Sequence, residues 1–261
     1  MIPVHHLLIV PPLLLLGVML AICVGAWAAL VVDRGEPARF SARDLSVAVR
    51  EATARALFLT VGFVPASGAR FERGAVPVVL MLDPQVPPLA GYFLASYLRR
   101  RGREVVVVST RGPRSLGLAD HAERAARLIH GALGGAERCD VVAHGQAGVI
   151  AGWWLNHLGG APRVRRLVTL ATPWAGTRLS VFARTKIGRE LSFEAPMLAA
   201  LVPPPVPTTC FWSPDDPFVV PSASAVPAGC EAVRIDGAGH HELLLSARLF
   251  RALGALLVAA P

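Results

Sequence analysis

Lysine is nearly absent from this 261-residue chain: Lys186 is the only one, so the formal charge of +8 rests on arginine. The arginines are scattered and no basic run with interleaved aromatics occurs, which argues against nucleic acid as a partner, because phosphate binding needs a clustered positive face. Charged residues are scarce too, 17% against 53% hydrophobic, a balance that places one segment of the chain in lipid. Cysteine is limited to Cys23, Cys139, Cys210 and Cys230, with no C-x-x-C pair and no metal-ligand spacing with the histidines, so neither a disulfide framework nor a metal site is expected. Cys139, Cys210 and Cys230 fall at or near predicted strands and read as buried thiols, with a Cys210–Cys230 disulfide left open. No G-x-G-x-x-G follows the first strand and no P-loop occurs, so no cofactor is expected.

The apolar excess is concentrated at the start. From Leu7 to Val32 there is no charged residue, and Leu13–Val32 alone has the length of a membrane-spanning helix, starting after Pro11 and Pro12. Ala26-Trp27-Ala28 resembles a signal-peptidase site, but no Lys or Arg precedes the run and the run is long for a signal core, which favours an anchor. Arg34, Arg39, Arg43 and Arg50 all follow it, and the positive-inside rule then puts the main domain on the cytoplasmic side of the bilayer, the expected lipid partner. Between Ser41 and Phe63 the residues Leu45, Val47, Val49, Ala52, Ala56 and Leu57 form an apolar stripe capped by Ser41, suited to the bilayer surface or to the face of the domain. Pro65–Gly74 reads as a turn-rich linker.

Beyond it the pattern alternates. Predicted strands Val76–Leu82, Glu104–Ser109, Cys139–Ala143, Val164–Ala171, Thr208–Trp212 and Glu231–Ile235 are separated by helical periodicity over Leu89–Arg101, Leu118–Leu133, Ala147–Leu158 and, at the end, Glu242–Val258. This order gives an α/β class, a mostly parallel sheet flanked by helices. Residues 1–34 are read as the anchor, 35–74 as amphipathic helix and linker, and 75–261 as the α/β domain, with a cap insertion or long surface excursion at about 174–207 holding a helix around Ser192–Leu201.

One strand-to-helix junction carries chemistry. In Ala143-His144-Gly145-Gln146-Ala147-Gly148 the residues two before and two and three after Gly145 are small, as a tight turn between closely packed strand and helix requires. This stretch resembles the nucleophile elbow of the α/β-hydrolase superfamily, and within it the bacterial triacylglycerol-lipase and esterase proteins. Three further segments match in order: Thr172-Pro173-Trp174-Ala175-Gly176-Thr177; the acid loop Asp215-Asp216-Pro217, with Asp216 the better match and Asp215 the runner-up; and Gly237-Ala238-Gly239-His240. The resemblance implies an α/β-hydrolase fold with Asp216 and His240 at retained triad positions and Gly145 where the serine belongs.

It also implies that the amide of Gln146 is an oxyanion donor and that Leu82-Asp83-Pro84 replaces the family's H-G-x oxyanion loop, with Pro84 lacking the N–H that x would donate. His144 is read as a positional relic lining the site, and His121, His130 and His241 as surface residues. Without a serine oxygen for histidine to deprotonate, acyl transfer loses roughly 10⁶-fold. The expectation is therefore a membrane-anchored pseudo-hydrolase of a bacterial inner membrane, with a lipid or acyl ligand or a protein partner. The alternative is an ester hydrolase using another nucleophile, or a water activated by His240 and Asp216.

Overall fold

The computed structural model describes residues 41–61, 76–201 and 203–258, together with Gly17, Leu20, Ala21, Val24, Gly25 and Ala28. The expected membrane span over Leu13–Val32, apart from those six positions, and the linker over Pro65–Gly74 lie outside the described residues. Among the described residues no helix is long and apolar enough to cross a membrane.

Six strands, β1 (Val78–Leu82), β2 (Val105–Ser109), β3 (Cys139–His144), β4 (Val164–Leu170), β5 (Thr208–Trp212) and β6 (Glu231–Arg234), form one wholly parallel sheet in the order β2-β1-β3-β4-β5-β6. The predicted strands reappear within two residues at either end. The reason β1 reads as an unbroken apolar run is visible in its packing. Val79 and Met81 point into a core shared with α3 (Leu118–Leu133) and α4 (Gln146–His157), whereas Val78, Leu80 and Leu82 point into the opposite core, shared with α2 (Tyr92–Arg99) and α7 (Ala247–Val258).

The predicted helix Leu89–Arg101 begins as a 3-10 turn over Pro88–Gly91, and the one over Glu242–Val258 is broken after a 3-10 turn over Glu242–Leu245. The cap region differs more. It holds a 3-10 turn over Arg178–Phe182 and two short helices, α5 (Lys186–Glu190) and α6 (Pro196–Ala199), so the helix expected around Ser192–Leu201 shrinks to one turn opened by Pro196. This excursion is fastened to the domain: Trp174, Ile187, Leu191, Leu198 and Leu201 are buried in the α3–α4 core, and the Glu190 carboxylate accepts the first backbone N–H of α3 at 2.6 Å.

The N-terminal helix α1 (Ala42–Val61) is closed by a reciprocal cap, Asp44 N–H to Ser41 Oγ at 3.2 Å and Ser41 N–H to Asp44 Oδ2 at 2.9 Å. Its buried face takes Val47 and Ala52 from the expected stripe but adds Ala48, Glu51, Ala54 and Phe58, whereas Leu45, Val49 and Leu57 of that stripe stay exposed. Helical spacing of the buried set at 47/48, 51/52, 54 and 58 lays it against the loop between β6 and α7, with Phe218 packed on Ala48 and Ala52.

Candidate functional site

The chain leaves β1, goes outward to β2 at the sheet edge, and returns to β3 on the other side of β1. The loops after β1 and β3 therefore diverge at the carboxyl ends of neighbouring strands, the place where parallel sheets open a crevice. Gly145 sits there as the single residue between β3 and α4. Its backbone has φ 60° and ψ −132°, outside the regions an L side chain adopts easily. The turn is held by its N–H donating to Leu170 O at 2.9 Å and by Thr172 Oγ donating to its carbonyl at 3.0 Å. Small neighbours are required: a Cβ on Gly148 would lie 2.0 Å from Thr172 Oγ1.

A Cβ built on Gly145 would point between two groups, 2.7 Å from Asp83 Oδ2 and 3.1 Å from His240 Nε2. Asp83 is buried, and both of its carboxylate oxygens accept backbone N–H groups, Oδ1 from Gln85 at 2.8 Å and Oδ2 from Gln146 at 2.9 Å. The amide of Gln146, expected as a free oxyanion donor, is thus already occupied by a side chain of this protein. Pro84 follows in the turn that Val86 N–H closes onto Asp83 O at 2.9 Å, and Leu82 is a fully buried core residue at the end of β1.

On the far side, His240 Nδ1 lies 2.8 Å from Asp216 Oδ2, while Asp216 Oδ1 accepts the backbone N–H groups of Phe218 and Val219 at 2.7 and 3.2 Å. Asp216 rather than Asp215 meets the histidine; Asp215 instead takes the Gly237 N–H at 2.7 Å and Arg43 at 3.0 Å. Burial alone would lower the pKa of His240, but the carboxylates of Asp216, Glu51 and Asp83 outweigh it and raise the value to about 9. These carboxylates favour the imidazolium form of His240. His144 is fully buried beneath it and donates from Nε2 to His240 O at 3.0 Å. Burial and the neighbouring histidines push its pKa well below the usual value, so it stays neutral and acts as a prop for the His240 loop.

Two residues of this site escaped the sequence reading. His241, expected at the surface, is buried, and so is Glu51 of α1. The Glu51 carboxylate accepts His241 N–H at 2.8 Å, Glu242 N–H at 3.0 Å and His241 Nδ1 at 2.5 Å. Burial opposes its ionisation, yet the charges of His241 and His240 and the bonds from His241 and Glu242 bring its pKa down to about 2. The only clue in the sequence is a carboxylate inside an apolar stripe beside Ala48 and Ala52. His121 is also buried, its Nδ1 2.9 Å from Thr110 O, whereas His130 is exposed as expected.

Cys139, Cys210 and Cys230 are free thiols, those of Cys139 and Cys210 raised by burial to about 12, and no Cys210–Cys230 disulfide forms. Among the described residues no cluster of His, Cys, Asp or Glu could hold a metal ion. A cavity of about 870 Å³ opens above the site, walled by the loops after β1 and β2, the cap, and Arg55 and Phe58 of α1.

No family model matches the sequence, and no curated protein does. Solved structures match at low identity. The mature form of the lipase BlEst2 of Bacillus licheniformis superposes with a TM-score of 0.60 at 14% identity, over 72% of this chain and 96% of its own. The fold is that of the α/β hydrolases. An extracellular α/β-hydrolase from a Paenibacillus species has a TM-score of 0.52 at 12% identity over 71% of this chain and 98% of its own. The pyrethroid hydrolase PytH has a TM-score of 0.51 at 12% identity over 71% and 98%. In α/β-hydrolase terms, the sheet ends at β3 and β1 bring Gly145 and Asp83 together, and the loops after β5 and β6 bring Asp216 and His240 to the same point.

Proposed function

We propose that this α/β-hydrolase-fold chain is a pseudo-hydrolase, inactive toward esters, anchored in a bacterial inner membrane by Leu13–Val32 with its main domain on the cytoplasmic side. Its cavity holds a lipid or acyl ligand, and its cap is the surface offered to a protein partner. One observation carries the reading: the Asp83 carboxylate occupies the space in front of Gly145 and takes the Gln146 N–H. Glycine has no oxygen for His240 to deprotonate. A fixed carboxylate stands where a substrate oxygen would have to gather negative charge, and the donor meant to stabilise that charge is already satisfied. Gly145 and Asp83 thus form a matched pair, each excluding the serine machinery in its own way.

The intact His240–Asp216 pair favours a second reading, an ester hydrolase that works through an activated water or another nucleophile. Because neighbouring carboxylates raise the pKa of His240 to about 9, such activity would rise only as the pH approaches that value.

The full chain is tested with a fluorophosphonate probe and with short-chain esters between neutral pH and pH 10. No labelling and no turnover are expected, and Gly145→Ser alone is expected to remain silent because its Cβ meets Asp83. Gly145→Ser combined with Asp83→Gly clears the place and frees the Gln146 amide, and is expected to gain labelling. Wild-type hydrolysis abolished by His240→Ala would overturn the pseudo-hydrolase reading in favour of the second.

A further inference from the structure

The cavity has an unbalanced charge. Its walls carry Arg55, Arg111, Arg114 and Arg184 and His240, whose imidazolium form is favoured, against one carboxylate, Asp83, whose two oxygens are already held by backbone N–H groups. Several arginines outside the cavity meet acids: Arg43 reaches Asp215, Arg50 reaches Glu242, and Arg103 and Arg165 reach Asp140. Arg111, Arg114 and Arg184 are exposed and, among the described residues, none of the three meets a carboxylate.

They come from two separate segments that the fold joins at one mouth. Arg111 and Arg114 lie on the loop after β2 and Arg184 on the cap, and the two segments are tied by Lys186 N–H donating to Arg114 O at 2.9 Å. The lining also carries apolar groups, Phe58, Val86, Leu179 and Val219, with Phe182 exposed on the cap beside Arg184. Arg55, the fourth arginine of the lining, is stacked 5.2 Å from the centre of the Phe218 ring.

From this we infer that the cavity takes a single-chain amphiphile with an anionic head, its carboxylate or phosphate held by Arg111, Arg114 and Arg184 and its chain laid on the apolar wall. The inference rests on the ligand-binding part of the proposed function. An uncharged ester or alcohol of the same chain would gain the apolar contacts but leave the arginine collar unanswered. Guanidinium groups bind carboxylate and phosphate oxygens by charge-assisted, often paired hydrogen bonds, so the head group accounts for the difference between the two.

The test uses the full chain in phosphatidylcholine nanodiscs, with empty nanodiscs subtracted, titrated with a dansyl-labelled fatty acid and with its methyl ester. The acid is expected to bind at least about tenfold more tightly than the ester, with an affinity that falls as salt is raised. In the triple variant Arg111→Gln, Arg114→Gln, Arg184→Gln that advantage disappears while ester binding is unchanged. Competition by oleate and by lysophosphatidate separates the two head groups, and displacement of the acid by either one supports the collar. Equal binding of acid and ester, an acid advantage that survives in the triple variant, or equal competition by a neutral monoacylglycerol overturns it. Release of free acid from the methyl ester by the wild-type chain would instead overturn the pseudo-hydrolase reading, so the two failures are told apart in the same samples.

Discussion

Replacing Glu51 by glutamine tests whether α1 is a structural part of the site. The carboxylate is fully buried, and His241, His240 and the Glu242 N–H hold its pKa down from the ordinary 4.5 to about 2. At 1.36 kcal/mol per unit this corresponds to about 3 kcal/mol of stability tied to its ionised form. A folded-state pKa below the unfolded one means that this contribution is complete above about pH 4.5 and is lost as the pH falls toward 2. Glutamine keeps one acceptor oxygen but turns an NH₂ group toward the donors of His241 and Glu242, so the variant should lose about 2–4 kcal/mol at neutral pH. It should also lose the wild-type fall in stability across the acid window. Urea unfolding followed by tryptophan fluorescence at a series of pH values reads both effects. Equal midpoints for the two proteins, or an unchanged slope between pH 4.5 and 2, would refute the claim that an ionised Glu51 fastens α1 to the His240 loop.

Two further substitutions probe the frame around the site. Asp140 is fully buried on β3 and meets Arg103 at 2.9 Å, Arg165 at 2.6 Å and Arg166 at 3.7 Å, so Asp140→Ala should leave three part-buried guanidinium groups without their carboxylate and cost about 3–5 kcal/mol in denaturant unfolding. Gly148→Ala should destabilise by about 1–3 kcal/mol, because its new methyl would fall on Thr172; adding Thr172→Ser, which removes one methyl but keeps the hydroxyl close by, should rescue it only in part. Full rescue would show that the turn at Gly145 is looser than these contacts indicate.

Much of this site was legible in the primary structure because its parts are local. The tight turn at Gly145 needs small residues at 143, 147 and 148, and such requirements are written at fixed offsets. The strands were legible because burial on both faces leaves long β-branched runs. Asp83 was readable only as a residue of an altered loop. Its carboxylate reaches Gln146, 63 positions away, only because β1 and β3 are neighbours in the sheet.

Glu51 was missed for a similar reason. Hydropathy ranks Leu45, Val49 and Leu57 above a glutamate, and on that scale the apolar stripe faces the core. Contact with the His240 loop rotated the helix instead, because a buried carboxylate surrounded by N–H donors and a histidine is stabilised in a way that no helical periodicity records. The same distinction governs the arginines at the cavity mouth, where Arg184 of the cap joins Arg111 and Arg114 only because two distant loops meet.

By itself, then, the sequence determined the parallel α/β order, the turn around Gly145 and the absence of an oxygen there. Those features depend on residue size, periodicity and chemical identity, all of which are carried position by position. Only the tertiary structure decided what fills the space the missing side chain leaves, which helix face is buried and where unpaired positive charge collects. Each of these depends on groups far apart in the chain whose distances and dielectric surroundings exist only after folding.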